Sequence, residues 1–184
     1  MIKLENVTVS FDEKKVLDNF SYLFPEKGVV LIKGASGSGK TTLGKIILGT
    51  LEADDGIVET DGAKFSVVFQ EDRLVPTLTA LQNVELVSSK SEANERLKEV
   101  QLDDSKDKYP FELSGGMKRR VAIARALAFG GDVLLLDEAF SGIDDLLAGE
   151  LISKICHEYK DKLIIAISHR PELFSSVNYT ICEI

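Results

Sequence analysis

Gly34-Ala35-Ser36-Gly37-Ser38-Gly39-Lys40-Thr41 fits the pattern G-x-x-x-x-G-K-[ST], and its surroundings fit as well as its letters. The apolar run Val29-Val30-Leu31-Ile32 in front of it reads as a buried strand. Behind it, Thr41-Thr42-Leu43-Gly44-Lys45-Ile46-Ile47-Leu48 has the apolar spacing of a helix, expected to end near Leu51. Glycines free the backbone from Cβ clashes, so successive N–H groups of the loop can turn toward one anion. The start of the helix adds its partial positive charge. Strand, loop and helix in this order point to a nucleoside phosphate site, with Gly34, Ser36, Gly37, Ser38, Gly39, Lys40, Thr41 and Thr42 as its candidate residues. Lys40 would reach the β- and γ-phosphates, and the Thr41 hydroxyl would ligate Mg²⁺.

The 184 residues suffice for one well-buried domain, and a content of 44% hydrophobic and 28% charged residues is that of an ordinary globule. A formal net charge of −8 argues against nucleic acid as a partner. The basic run Lys118-Arg119-Arg120 reads most simply as a solvated helix face, and His157 as a surface residue. Cys156 and Cys182 make no disulfide framework and are expected to be reduced, at or near the core. Met1-Ile2-Lys3-Leu4-Glu5 carries an acid too early for a signal peptide, and no window approaches the ~20 apolar residues of a membrane span. At a membrane, such a chain would need something else to hold it there.

Residues 1–33 read as β structure: Val7, Val9 and Phe11 alternate with polar residues, as do Phe20, Tyr22 and Phe24. Asp54-Asp55-Gly56 reads as a turn, Ile57 to Gly62 as a short hairpin edge, and Lys64 to Phe69 as a strand delivering Gln70 to its carboxyl end. From about Leu78 to Phe129 the pattern is helical. Leu78, Leu81, Val84 and Leu86 mark one short helix, and Ala93, Leu97 and Val100 a second; Asp103 to Lys108 is a polar loop. Met117 to Ala128 is a strong helix that Ser114 could cap, with Gly115 and Gly116 leaving its first N–H groups open to an anion. The α/β rhythm then returns with strand Val133 to Leu136, helix Asp145 to Tyr159, and strands Leu163 to Ile167 and Tyr179 to Ile184. The expected fold is one α/β domain over 1–184, with a parallel-sheet core from 1–76 and 131–184. An antiparallel β part precedes the core, and a short helical subdomain is inserted at about 77–130.

Val133-Leu134-Leu135-Leu136-Asp137-Glu138 is an apolar strand that ends in two acids. Ligands of open α/β sheets lie beyond the carboxyl ends of strands, so Asp137 is expected beside the phosphate loop as a Mg²⁺ ligand, directly or through water. Glu138 is then positioned to act as general base toward an attacking water. Alone, such an acid pair is as readily a helix cap.

Leu113-Ser114-Gly115-Gly116-Met117, followed by Lys118-Arg119-Arg120-Val121-Ala122-Ile123-Ala124-Arg125-Ala126-Leu127, resembles the LSGGQ-type signature of the ATP-binding cassette (ABC) ATPases. The resemblance covers essentially the whole chain. It implies a phosphate-loop NTPase fold of the ABC ATPase type, and ATP with Mg²⁺ as the bound nucleotide and metal. In family order, Phe11 matches the aromatic that stacks on adenine, with Val16 and Leu17 following it. Gln70 matches the glutamine that senses Mg²⁺ and the attacking water, Ser141-Gly142-Ile143-Asp144 the loop that links two sites, and His169 the histidine at the γ-phosphate.

The resemblance further implies a head-to-tail pair of cassettes, in which Ser114, Gly115 and Gly116 of one copy cover the nucleotide on the other. It implies ATP hydrolysis coupled to transport, with separate transmembrane permease subunits as partners, at the cytoplasmic face of the cell membrane. An extracytoplasmic binding protein would take part indirectly. The alternative is a soluble, non-transport ABC ATPase. Residues Val68 to Thr79, together with Met117, are similar to the nitrate/sulfonate/taurine type of importer ATPase. Departures are Met117 for the commoner Gln, Ala139 for the Pro after the acid pair, and Arg170 for the acid that often follows the histidine.

Overall fold

The computed structural model describes residues 1–12 and 14–184. The chain opens with β1 (Lys3–Phe11), β2 (Lys14–Leu23) and β3 (Gly28–Lys33), then enters α1 (Lys40–Ile47) through the glycine-rich loop. β4 (Asp55–Glu59) and β5 (Phe65–Val68) follow, and then the helices α2 (Ala80–Glu85), α3 (Lys90–Glu99) and α4 (Gly115–Phe129). The remaining elements are β6 (Val133–Asp137), α5 (Asp145–Glu158), β7 (Leu163–Ile167) and β8 (Tyr179–Glu183).

Five strands make a parallel sheet in the order β5-β6-β7-β3-β8, and β2-β1-β4 make an antiparallel one. Every residue of β6 and β7 is buried, as continuous apolar runs covered on both faces require. Period-two alternation sends Leu134, Leu136, Ile164 and Ala166 to one face, against α2 to α5. It sends Val133, Leu135, Ile165 and Ile167 to the other, against Leu43, Ile46 and Ile47 of α1 and Leu4, Val7 and Val9 of β1. Register matters most for function. Leu136 lies opposite Val68, and Ile167 lies opposite both Asp137 and Ile32. One edge of the sheet therefore carries the segments that follow β3, β5, β6 and β7.

Local detail corrects several sequence expectations. The first helix stops at Ile47 rather than near Leu51, because Gly49 takes φ +66° and the N–H groups of Thr50 and Leu51 both return to the Lys45 carbonyl. Asp55 and Gly56 are not a turn but begin β4. Gly56 sits at a register shift with φ +96°, where a Cβ would meet the carbonyl oxygens of Glu5 and Asn6 at 2.6 Å. The polar loop at 103–108 contains one 3-10 turn, Asp103–Ser105. Thr79 and Gln82 form a capping box on α2, and Ser114 caps α4 as expected, its Oγ accepting from Met117 N–H at 3.3 Å. His157 is exposed, and Cys156 and Cys182 are free thiols. Among the described residues, no helix is long and apolar enough to cross a membrane.

Candidate functional site

A cavity of about 340 Å³ lies at the carboxyl edge of the parallel sheet. The phosphate-loop stretch contributes Ser36, Gly37, Gly39, Lys40, Thr41 and Thr42 to its wall, and Phe11 and Val16 flank it from the antiparallel sheet. Gln70, Asp137, Glu138 and His169 enter from the ends of β5, β6 and β7. Phe11 keeps half its surface exposed, as an aromatic platform needs. Gly39 is required by its backbone. It takes φ +102°, and a Cβ there would stand 2.7 Å from Val16 Cγ1.

Lys40 is buried, and its ammonium donates to the carbonyl oxygens of Gly34 at 2.9 Å and Ala35 at 2.8 Å. Gly34 thus acts through its carbonyl. Ser38 brings a buried Oγ that has no hydrogen-bond partner. Asp137 is also buried, and its Oδ1 has no partner. Burial, and then the neighbouring Glu138 carboxylate, push the Asp137 carboxyl above its ordinary value. The Thr41 hydroxyl and the charges of Arg119 and Lys45 pull it part of the way back. A desolvated carboxylate with a free oxygen beside a threonine hydroxyl is a donor set for a small hard cation. Such a cation fills its remaining positions with phosphate oxygens and water.

Glu138 sits at φ +50°, where a non-glycine residue bears a cost of ~1–3 kcal/mol. The conformation is held on both sides. Its N–H donates to Ile167 O at 3.0 Å, and its Oε1 accepts the His169 backbone N–H at 2.9 Å. The same oxygen lies 3.5 Å from His169 Nε2. Its side chain is 15% exposed, against 57% for His169, so the carboxylate is sheltered while the imidazole remains accessible.

Ser114, Gly115, Gly116 and Asp144 do not line this cavity. Ser114 and Gly115 are exposed at the start of α4. Asp144 caps α5, its Oδ1 accepting the N–H groups of Leu146 at 3.0 Å and Leu147 at 3.3 Å.

The basic run of α4 is not a solvated face. Arg119 is buried, and its guanidinium donates to Phe69 O at 2.6 Å and Gln70 O at 2.5 Å, with Nε 3.2 Å from Asp72 Oδ1. Arg120 donates to the carbonyls of Val100 and Gln101. One and a half turns on, Arg125 donates to Asp72 O at 3.1 Å and Arg73 O at 2.9 Å. Residues 69–73 are thus held by two arginines of the helix that begins at Ser114. The periodicity carried this signal: Arg119 shares its helix face with Ile123 and Ala126, both buried.

Residues 17–141 match the ABC transporter family, and the chain belongs to it. The taurine import ATP-binding protein TauB of Rhizobium johnstonii is 40% identical over 79% of this chain, which spans 64% of that protein's length. The bicarbonate transport ATP-binding protein CmpD of Synechocystis is 36% identical over 91% of this chain and 68% of its own. Among solved structures, the dimeric post-hydrolysis state of the ATP-binding cassette MJ0796 bound to ADP and Pi superposes with a TM-score of 0.83. It is 31% identical and covers 94% of this chain and 90% of that one. The parallel core, the antiparallel N-terminal sheet and the helices are those of the ABC ATPase fold.

Proposed function

We propose that this chain binds ATP with Mg²⁺ and hydrolyses it to ADP and phosphate, as the energy-supplying subunit of a membrane importer. One observation carries the reading. Lys40, Gln70, Asp137, Glu138 and His169 come from four strand ends and share one cavity, while the helix start at Ser114 and Gly115 stands outside it, exposed. The whole chain acts as one ABC ATPase domain, with a nucleotide-binding core of 1–76 and 131–184 and a helical part at about 77–130.

Phe11 and Val16 hold the adenine end. The N–H groups of Ser36, Gly37 and Gly39, with Lys40, Thr41 and Thr42, hold the phosphates, and the Gly34 carbonyl holds Lys40 in place. Mg²⁺, when bound by Thr41, Asp137 and Gln70, neutralises charge that develops on the phosphate oxygens. Glu138 takes a proton from the water that attacks the γ-phosphorus; the bridging oxygen leaves with its electron pair on ADP. A positioned base of this kind contributes ~10²–10⁴-fold in rate. His169 stands at the γ-phosphate and, through its backbone N–H, aims the Glu138 carboxylate.

The exposed helix start at Ser114 pairs with the nucleotide of a second copy, so two cassettes close head to tail over two ATP molecules. Loss of the γ-phosphate releases them, which makes the pair a nucleotide-controlled two-state element. Asp144 links the sites across the pair. Separate transmembrane permease subunits hold the cassette at the cytoplasmic face, and an extracytoplasmic binding protein acts on it only through them. Relatives named for taurine and for bicarbonate are 40% and 36% identical to this chain, so cargo choice is assigned to the permease.

Phosphate release measured for the chain and for Glu138→Gln tests this. The variant should retain ATP affinity and lose at least ~10²-fold in turnover. Unchanged turnover would remove Glu138 as the base.

A further inference from the structure

Arg170 stands where the family often has an acid, and the structure shows what the change accomplishes. Its Nη2 donates to Oδ1 of Asp145, the first residue of α5, and its Nε lies 3.6 Å from Glu172. Its own N–H donates to Ser168 Oγ at 3.0 Å, which shapes the turn that carries His169. An acid here would face two carboxylates, Asp145 and Glu172. Arginine turns that repulsion into a tie, while Asp145 keeps its favourable place in the first turn of the helix.

The tie completes a frame. The segment from Glu138 to Asp145 carries the candidate base at one end and the helix-capping Asp144 at the other. Its first end is fixed by Glu138 N–H on Ile167 O and by His169 N–H on Glu138 Oε1. Its second end is fixed by Arg170 on Asp145. Both grips come from one short stretch, Ile167 to Arg170, at the end of β7. Between them the segment turns on Ser141 N–H to Glu138 O at 3.1 Å and Ile143 N–H to Phe140 O at 3.3 Å.

We propose that Arg170 is a positioning residue for ATP hydrolysis: it braces the Glu138–Asp145 segment so that His169, Glu138 and Asp144 move as one body. This rests on the ATPase reading above. Arg170 touches no reacting atom; it acts through Asp145.

The test is a charge-swap series in the full chain. For Arg170→Ala, kcat should fall by about twofold to fivefold, the upper range for one exposed ion pair, with KM for Mg-ATP within about twofold because the phosphate loop is untouched. Arg170→Asp should fall further. Arg170→Asp combined with Asp145→Arg should recover part of the turnover lost in Arg170→Asp alone, short of wild type because a cation at position 145 opposes the helix dipole and an acid at 170 still faces Glu172. The ratio of wild-type kcat to that of Arg170→Ala should also shrink toward one in ~1 M salt, where the screening length is ~3 Å. Equal kcat for wild type and Arg170→Ala, or a swapped pair as slow as the single variant, overturns the brace. If wild type itself shows no turnover, the ATPase reading fails instead. Hydrogen exchange at the Ser141 and Ile143 amides then decides for the brace: faster exchange in Arg170→Ala supports it, and equal exchange refutes it.

Discussion

Replacing Arg119 should unfold this protein more readily than any surface charge could, and the size of the loss follows from its contacts. The guanidinium makes two hydrogen bonds to backbone carbonyls, at 2.6 Å and 2.5 Å, from a residue that is only 8% exposed. Hydrogen bonds from a charged donor contribute ~1.5–3 kcal/mol each, and a buried acceptor left bare costs ~1–3 kcal/mol. Arg119→Met keeps the apolar stem and removes both donors, so a loss of ~3–5 kcal/mol is expected. For a chain of this size each kcal/mol shifts the melting temperature by ~2–4 °C, which makes the shift roughly 6–20 °C. Arg119→Lys supplies one compact donor group in place of a fork and should recover about half. Urea unfolding followed by circular dichroism, with an unchanged m-value, is the assay. A loss below ~1 kcal/mol for Arg119→Met would mean that water replaces the guanidinium freely, and the account of residues 69–73 as a clamped segment would be wrong.

Two further outcomes are expected. Because the Asp137 carboxyl is raised in the fold, its folded-state pKa exceeds its unfolded one. Above both values the folded protein carries a desolvated carboxylate that opposes folding, and below the unfolded value that penalty is absent. Asp137→Asn should therefore raise the melting temperature at neutral pH without Mg²⁺, with the difference closing as pH falls toward the carboxylate range. It should also abolish added stabilisation by Mg-ATP; a variant less stable than wild type at neutral pH would contradict the desolvation argument. Glu138→Gln, incubated with Mg-ATP, should elute as a dimer by gel filtration with light scattering and return to monomer when ATP is withheld. Elution as monomer under both conditions would remove the closed pair from the mechanism.

The parts of the site that strand-end logic governs were legible in the sequence. A run such as Val133 to Leu136 declares a doubly covered strand, and parallel pairing through β7 brings its carboxyl end to the same edge of the sheet as that of Val29 to Ile32. By that reasoning Gln70 and Asp137 lie at the carboxyl ends of their strands, whereas Phe11 and His169 follow from family resemblance. By charge Arg119 reads as solvent-facing, but its helical phase puts it on the buried face with Ile123 and Ala126. Its guanidinium satisfies carbonyls some 50 positions earlier in the chain, a partnership that no local pattern encodes. The early end of α1 turned on one left-handed glycine, Gly49, inside an otherwise helical spacing. Arg170 showed as an oddity in the sequence, but its partner Asp145 became visible only when β7 and α5 were brought together in space.

The central claim is that each catalytic site is shared by two copies, with Lys40 from one and Ser114 from the other. Lys40→Ala and Ser114→Arg should each lack ATP turnover when assayed alone. Mixed in equal amounts, half the pairs join one copy of each, and every such pair holds one site with both partners intact. Phosphate release should then recover to roughly a quarter of the wild-type rate, as the two-fold symmetry of the pair dictates. A mixture that stays at the background of the separate variants would show that Lys40 and Ser114 do not meet across two copies.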